Sequence, residues 1–240
     1  LPEWMDQPGL DPRLHEEALR GLARVNVVSR TLDAVWAPIA RLARGAPGRP
    51  LSVVDVACGG GDLALGLSRR AAREGVALEV RGCDISDTAL AHARERAARW
   101  GSGVEFFRHD VLNGDLPPHD VVTCCLFLHH LDSTDAVAVL CRLRAAARRL
   151  IVVSDLERSR LGLALAWAGT RVLSRSPVVH VDALRSVRAA FTLPEARALA
   201  EAAGVIAARR VSSEGQEGME AFLGKRPPAW TREPERGSGS

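Results

Sequence analysis

The chain has a single lysine, Lys225, so its basic residues are nearly all arginine, and its net charge is only +3 over 240 residues. So small a balance does not by itself argue for a nucleic-acid partner. Basic patches interleaved with aromatics, the pattern that stacks single strands, are also missing. Arginine pairs such as Arg69-Arg70 and Arg148-Arg149 fall near expected helix ends, where cations complement the dipole. No apolar run reaches the ~20 residues that span a bilayer, and no charged-then-apolar leader stands at the amino end. The five cysteines are odd in number and contain no C-x-x-C pair. They read as reduced thiols rather than a disulfide framework. The expectation is a cytoplasmic protein.

What is present suits one large α/β domain, since 47% of the residues are hydrophobic, enough for a full core. A helical prelude comes first. Asp11-Pro12 opens a helix with proline in its first turn, and Ser29 to Ala43 continues with an apolar stripe that Pro38 is expected to kink. Ala46-Pro47-Gly48-Arg49-Pro50 separates this prelude, 1–46, from the main domain, 47–226. The tail, 227–240, ends Gly-Ser-Gly-Ser and is expected to be disordered.

Val53-Val54-Asp55-Val56-Ala57-Cys58-Gly59-Gly60-Gly61-Asp62 is the most informative stretch. A β-branched run bounded by glycines reads as a buried parallel strand. Glycines let the chain turn sharply and let a ligand approach. The next helix, Leu63 to Arg73, presents unpaired N–H groups and a positive dipole end. Strand, glycine turn and helix in this order form a nucleotide cradle at the carboxyl edge of a sheet. Gly59-x-Gly61-x-x-Ala64 fits the dinucleotide fingerprint, a weak signal alone. Asp55 argues otherwise, because an acid before the turn repels a pyrophosphate and suits a cationic ligand.

Asp55 to Gly61 resembles motif I of the class I S-adenosylmethionine-dependent methyltransferases, D-x-G-x-G-x-G, with Ala57 standing at the first glycine. The cofactor implied is S-adenosylmethionine, held by Asp55, Ala57, Cys58, Gly59 and Gly61. Leu78 to Asp84 reads as the second strand, and an acid at its tip can accept both ribose hydroxyls. Val104 to Asp110 reads as the third, with Asp110 matching the family's adenine-amino position. Ile85, Val111 and Leu126 complete the implied pocket, and Arg30 of the prelude is placed near the cofactor carboxylate. His119 to Phe127 is the fourth strand, opened by an acid as in the family's motif IV. Helices are expected at Ser86 to Trp100 and Ser133 to Ala147, with Ser86 and Ser133 as N-caps. Leu150 to Asp155 is strand five.

Val205 to Ser212 and Met219 to Lys225 read as two strands joined so closely that they must be antiparallel. The resemblance then implies an α/β, Rossmann-like seven-stranded sheet of order 3-2-1-4-5-7-6, its last strand antiparallel, with N-terminal helices. A helical insertion after strand five, 156–191, is expected over the sheet's carboxyl edge. It contains a helix from Leu161 to Leu173, a break at Ser176 to Asp182 and a helix from Leu184 to Ala190. Thr192 and Glu195 form a capping box for a last helix. Trp167, His180 and Arg188 of the insertion are candidate substrate-binding residues for an apolar or aromatic acceptor.

His130 and His129, directly after strand four, are the catalytic candidates. Methyl transfer is an in-line displacement that needs alignment and apolar enclosure. A hydroxyl acceptor also needs a base, which histidine supplies near neutral pH. His130 is the preferred of the two; the alternative is that one histidine packs and the other caps a helix. Adjacent histidines rarely converge on one ion, so no metal site is expected. Strand four ends Thr-Cys-Cys-Leu, neither the Asn-Pro-Pro-Tyr type that acts on base amines nor the proline-cysteine type of cytosine-5 enzymes. The expected reaction is methylation of a small, apolar or aromatic acceptor, such as a hydroxyl of a phenolic or polyketide product of specialised metabolism. C- or N-methylation and, in another class, an NAD-dependent oxidoreductase remain alternatives. The expected partner is a small molecule, without nucleic acid or membrane, and the expected state a monomer or homodimer.

Overall fold

The structure, a computed structural model, describes residues 4, 31–45, 48–174 and 176–204. Arg30, the 205–225 hairpin and the tail lie outside the described residues. The first described helix is α1 (Thr31–Arg44), which buries Val35, Trp36, Ile39 and Ala40 on one side and runs through Pro38. Its anchor to the next helix is polar: the Trp36 indole donates to Glu74 Oε2 at 3.1 Å, and Asp33 pairs with Arg70.

Strand β1 (Leu51–Val56) is followed by α2 (Asp62–Glu74), β2 (Leu78–Asp84), α3 (Asp87–Arg99), β3 (Glu105–Arg108) and β4 (His119–Cys125). A 3₁₀ turn (Leu128–His130), α4 (Ser133–Ala146) and β5 (Ala147–Ser154) come next. The described chain closes with α5 (Arg160–Leu173), α6 (Pro177–Ala189) and α7 (Leu193–Ala202). The five strands form one parallel sheet, β3-β2-β1-β4-β5, the first five strands of the expected order. Central β1 pairs Val53 with Val80 of β2 and Val121 of β4.

Alternation along the central strands sorts the core into two layers. Val53 and Val121 pack with α1, α2 and α3 through Ile39, Leu65 and Leu90. Val54, Val56 and Val122 face the other way, onto Val139, Leu140 and Leu143 of α4 and Leu199 of α7. With both faces covered, these strands present buried valines to both sides, as buried parallel strands do.

Several expected boundaries shift for local reasons. Ser86 caps α3, accepting from the Ala89 N–H at 3.2 Å, and the Thr192–Glu195 capping box forms at α7. The cap of α4, however, is Asp132, which accepts from the Asp135 N–H at 2.8 Å, and Ser133 is the first helical residue. Pro177 does not break the insertion; it opens α6, because proline lacks only a donor that the first turn leaves unused. The break is shorter, between the end of α5 and Ser176. Strand β4 stops at Cys125 since Leu126 adopts φ 55, and β5 starts three residues early, directly from α4.

Candidate functional site

The turn after β1 is a left-handed series: Ala57, Gly59 and Gly61 have φ 55, 50 and 75. L-residues enter this region at a cost of about 1–2 kcal/mol, so Ala57 occupies the position where glycine is the strain-free choice. The turn closes through Cys58 N–H to Cys83 O at 3.0 Å and Gly61 N–H to Cys58 O at 2.9 Å. A methyl group on Gly61 would lie 2.7 Å from the Phe106 ring, whereas one on Gly59 would meet nothing within 4 Å. Gly61 thus packs against β3, and Gly59 faces open space at the carboxyl edge. Arg96 of α3 holds the turn from behind, donating to Gly60 O at 2.8 Å and pairing with Asp62 at 2.5 Å.

Three acids converge on this edge. Asp55 is buried and accepts a hydrogen bond from Thr123 Oγ1 at 2.8 Å. Burial pushes its carboxyl up to about 7, against that hydrogen bond, and the charge of Asp84 adds to the rise. Asp84 is fixed by two backbone donors, Gly59 N–H to Oδ2 at 2.8 Å and Ser86 N–H to Oδ1 at 2.9 Å. The first of these ties the glycine turn to the tip of β2. Beside it Ile85 is 54% exposed, an apolar surface adjoining the acid. Asp110 accepts from Asn113 Nδ2 at 2.7 Å and from Leu112 N–H at 2.9 Å. The Asn113 hydrogen bond, foremost, holds its carboxyl below the usual range. Val111 next to it is buried.

After β4, the left-handed Leu126 turns the chain away from the sheet while its N–H bonds Ser154 O at 2.8 Å. The 3₁₀ turn that follows separates the two histidines. His129 is buried, with Nδ1 2.5 Å from Asp155 Oδ1 and its N–H donating to Asp155 Oδ2 at 3.2 Å. Asp155 is further held by Leu156 N–H at 2.7 Å. His130 is exposed, its ring 4.3 Å from that of His129 and 6.3 Å from Phe127. His129 is thus paired with an acid.

The insertion closes on this turn, α6 packing against both α5 and the 3₁₀ turn. The three residues expected to bind substrate do not form a cluster of contacts with one another. His180 Nε2 lies 2.8 Å from Ser174 O, Arg188 is exposed, and Trp167 is 54% exposed under the Arg171 guanidinium at 4.5 Å. The sequence reading missed Thr123, Arg96 and the role of Asp155. Asp155 alone left a signal, as an acid ending strand five.

Other groups serve the scaffold. Asp120, which opens β4, sits at the sheet's amino edge, bound by both Arg49 Nη atoms at 2.7 Å and by Ser52 N–H at 3.0 Å. It ties β1 to β4 at the end remote from the cradle. Cys124 is fully buried, and burial raises the thiols of Cys124 and Cys125 well above their usual range. Burial likewise pushes Cys83 up to about 12. Burial thus disfavours the nucleophilic thiolate at these positions. Among the described residues no group of three His, Cys, Asp or Glu side chains could hold a metal ion.

Residues 53–149 match the family model for a methyltransferase domain. A ubiquinone biosynthesis O-methyltransferase of Alkalilimnicola ehrlichii is 33% identical over 139 residues, 56% of this chain and 53% of that protein. The chain spans about half the length of such curated relatives. Among solved structures, mitomycin 7-O-methyltransferase MmcR superposes with TM-score 0.60 at 21% identity, covering 81% of this chain and 52% of that one. Magnesium protoporphyrin IX methyltransferase from Synechocystis PCC 6803, with bound SAH, gives TM-score 0.54 at 22% identity, over 83% and 80% of the two chains. Strand order alone is shared with dinucleotide-binding domains. The methyltransferase-domain match, which runs from β1 into the start of β5, separates the two readings over that segment.

Proposed function

We propose that the protein is an S-adenosylmethionine-dependent methyltransferase acting on a hydroxyl of a small, largely apolar acceptor, phenolic or polyketide-like. The observation that carries this reading is the pairing of buried His129 with half-buried Asp155 at the carboxyl edge, on the segment leaving β4. The residues fit the cofactor: Gly59 opens onto free space, Asp84 is oriented through both oxygens, and Ile85 offers an apolar surface beside it. Asp84 would hold the ribose, Asp110 the adenine side, and Asp55 the cationic end. When bound, the cofactor supplies a methyl group on a positively charged sulfur. The relatives' names support a methyl-transfer activity and an oxygen acceptor.

Asp155, accepting from Nδ1, fixes the neutral imidazole tautomer that carries its lone pair on Nε2. His129 Nε2 would take the acceptor's hydroxyl proton, and Asp155 would stabilise the imidazolium that results. Burial of the His129 ring would limit the access of water to the base. His130 then lines the approach rather than acting as the base.

Calorimetric titration with S-adenosylmethionine, S-adenosylhomocysteine and NAD tests the cofactor; micromolar NAD binding with no response to the other two would reject the reading. His129→Ala is expected to lower turnover about 10²-fold or more with cofactor affinity retained. Asp155→Asn should lower kcat with little change in KM, because it disturbs the tautomer and not the binding surface. An acceptor that needs no deprotonation would leave both variants fully active and move the proposal to an amine acceptor.

A further inference from the structure

Helix α5 presents an exposed apolar stripe on the side of the insertion away from α6. Leu161, Ala164, Ala168 and Val172 are all exposed and repeat at spacings of three and four, which places them on one face. Leu161 is 62% and Val172 85% exposed. These two give the stripe its apolar bulk at either end, and the alanines between them keep it smooth. The stripe is flanked by the exposed Trp167 and by Arg160 and Arg171, and α5 contains no acidic residue. The Arg171 guanidinium lies over the Trp167 ring and donates to Trp167 O at 3.0 Å. Fourteen residues extend about 21 Å, too short to cross the ~30 Å hydrocarbon layer. Indeed no described helix is long and apolar enough to cross a membrane. Length does not exclude lying in the interface, where a helix pairs an apolar face with arginine and tryptophan flanks.

We propose that α5 seats the protein on a membrane surface carrying anionic phospholipid, so that a lipophilic acceptor reaches the site from the bilayer. The proposal rests on the methyl-transfer reading for its acceptor but not for its surface. Charge selects the occupant. A second copy packed through the same face in an isologous contact would set Arg160 and Arg171 against their own copies, like charge against like. Anionic headgroups complement them, and tryptophan prefers the headgroup level. Continuity with the site selects the acceptor. On its other side α5 packs against α6, where a methyl group on Gly162 would touch Val187 Cγ1 at 3.4 Å. α6 in turn packs on the 3₁₀ turn that carries His129. The surface and the proposed base are therefore one helix layer apart, and the proposal departs from the sequence expectation of no membrane partner.

Flotation with vesicles tests this. The whole chain is expected to float with phosphatidylglycerol-containing vesicles, less at high salt, and not with pure phosphatidylcholine. Leu161→Glu with Val172→Glu should cut the partition coefficient about tenfold or more, with thermal melting and S-adenosylhomocysteine affinity unchanged. Arg160→Ala with Arg171→Ala, which leaves the stripe intact, should weaken binding to anionic vesicles alone. Absence of vesicle binding, or variants that float like the parent, overturns the proposal. So does a dimer by light scattering that the glutamate variant dissociates, which makes a second copy the occupant. A fall in melting temperature with no flotation of the parent overturns it too, because the chain itself then covers the stripe. Retained cofactor binding alongside absent flotation defeats the surface only, whereas lost cofactor binding defeats the underlying reading.

Discussion

Asp55 is the residue on which binding and stability pull in opposite directions. A carboxyl raised to about 7 by burial holds its proton more tightly in the folded chain than in the unfolded one. Its contribution to stability is thus fully present below the ordinary carboxylate range and is lost as pH rises through about 7. A cationic ligand reverses the preference, since it rewards the ionised form. Cofactor affinity is therefore expected to rise between pH 6 and 8 in the parent. Asp55→Asn should bind more weakly and, once the ligand's own titration is common to both, without that rise. Its melting temperature should also depend less on pH over the same interval. Equal pH dependence in parent and variant would remove Asp55 from the binding step. Gly61 makes the complementary case from sterics. Gly61→Ala combines a left-handed φ of 75 with a 2.7 Å approach to the buried Phe106 ring. A loss of about 2–4 kcal/mol is expected in chemical denaturation, and a loss below 1 kcal/mol would show that the turn can move aside.

At the scale of elements, the sheet is stapled at its amino edge and open at its carboxyl edge. The Asp120–Arg49–Ser52 cluster joins β4 to β1 far from the cradle. The Arg49 hydrogen bond, foremost, depresses the Asp120 carboxyl below its usual range while burial opposes it. Stability from this group is present above the unfolded carboxylate value of about 4 and is lost as pH falls through the lower folded value. Asp120→Asn should lower the melting temperature at pH 7, and the gap from the parent should narrow in strong acid. A constant gap across pH would mean that the cluster acts through packing alone. At the opposite edge the sequence was informative wherever chemistry is written in consecutive residues. The glycine turn, Asp84 and the Thr192–Glu195 box follow from local pattern and stand where it places them, whereas Asp110, expected to end the third strand, lies two residues beyond the end of β3. Thr123 and Asp155 reach their partners only through register between strands, which one strand's residues do not encode. Pro177 was misjudged because a helix breaker and a helix opener look alike until the first turn is known.

Taken whole, the described molecule is a five-stranded parallel sheet with its chemistry concentrated at one rim. The surroundings of His129 and His130 are what a sequence conceals at this scale. The two are neighbours in the chain, yet one is buried against an acid from β5's end and the other is exposed. Tertiary burial, absent from the local pattern, gives the two side chains different surroundings. The insertion extends the same logic, as α6 brings the apolar α5 within one layer of His129.

The most direct measurement is a diffraction structure of the protein crystallised with S-adenosylhomocysteine. The nucleoside is expected over Gly59, with its ribose hydroxyls on Asp84, its base between Ile85 and Asp110, and its amino-acid end toward Asp55. A nucleoside bound elsewhere, or one from which all three carboxylates turn away, would contradict the electrostatic cradle on which the proposed chemistry depends.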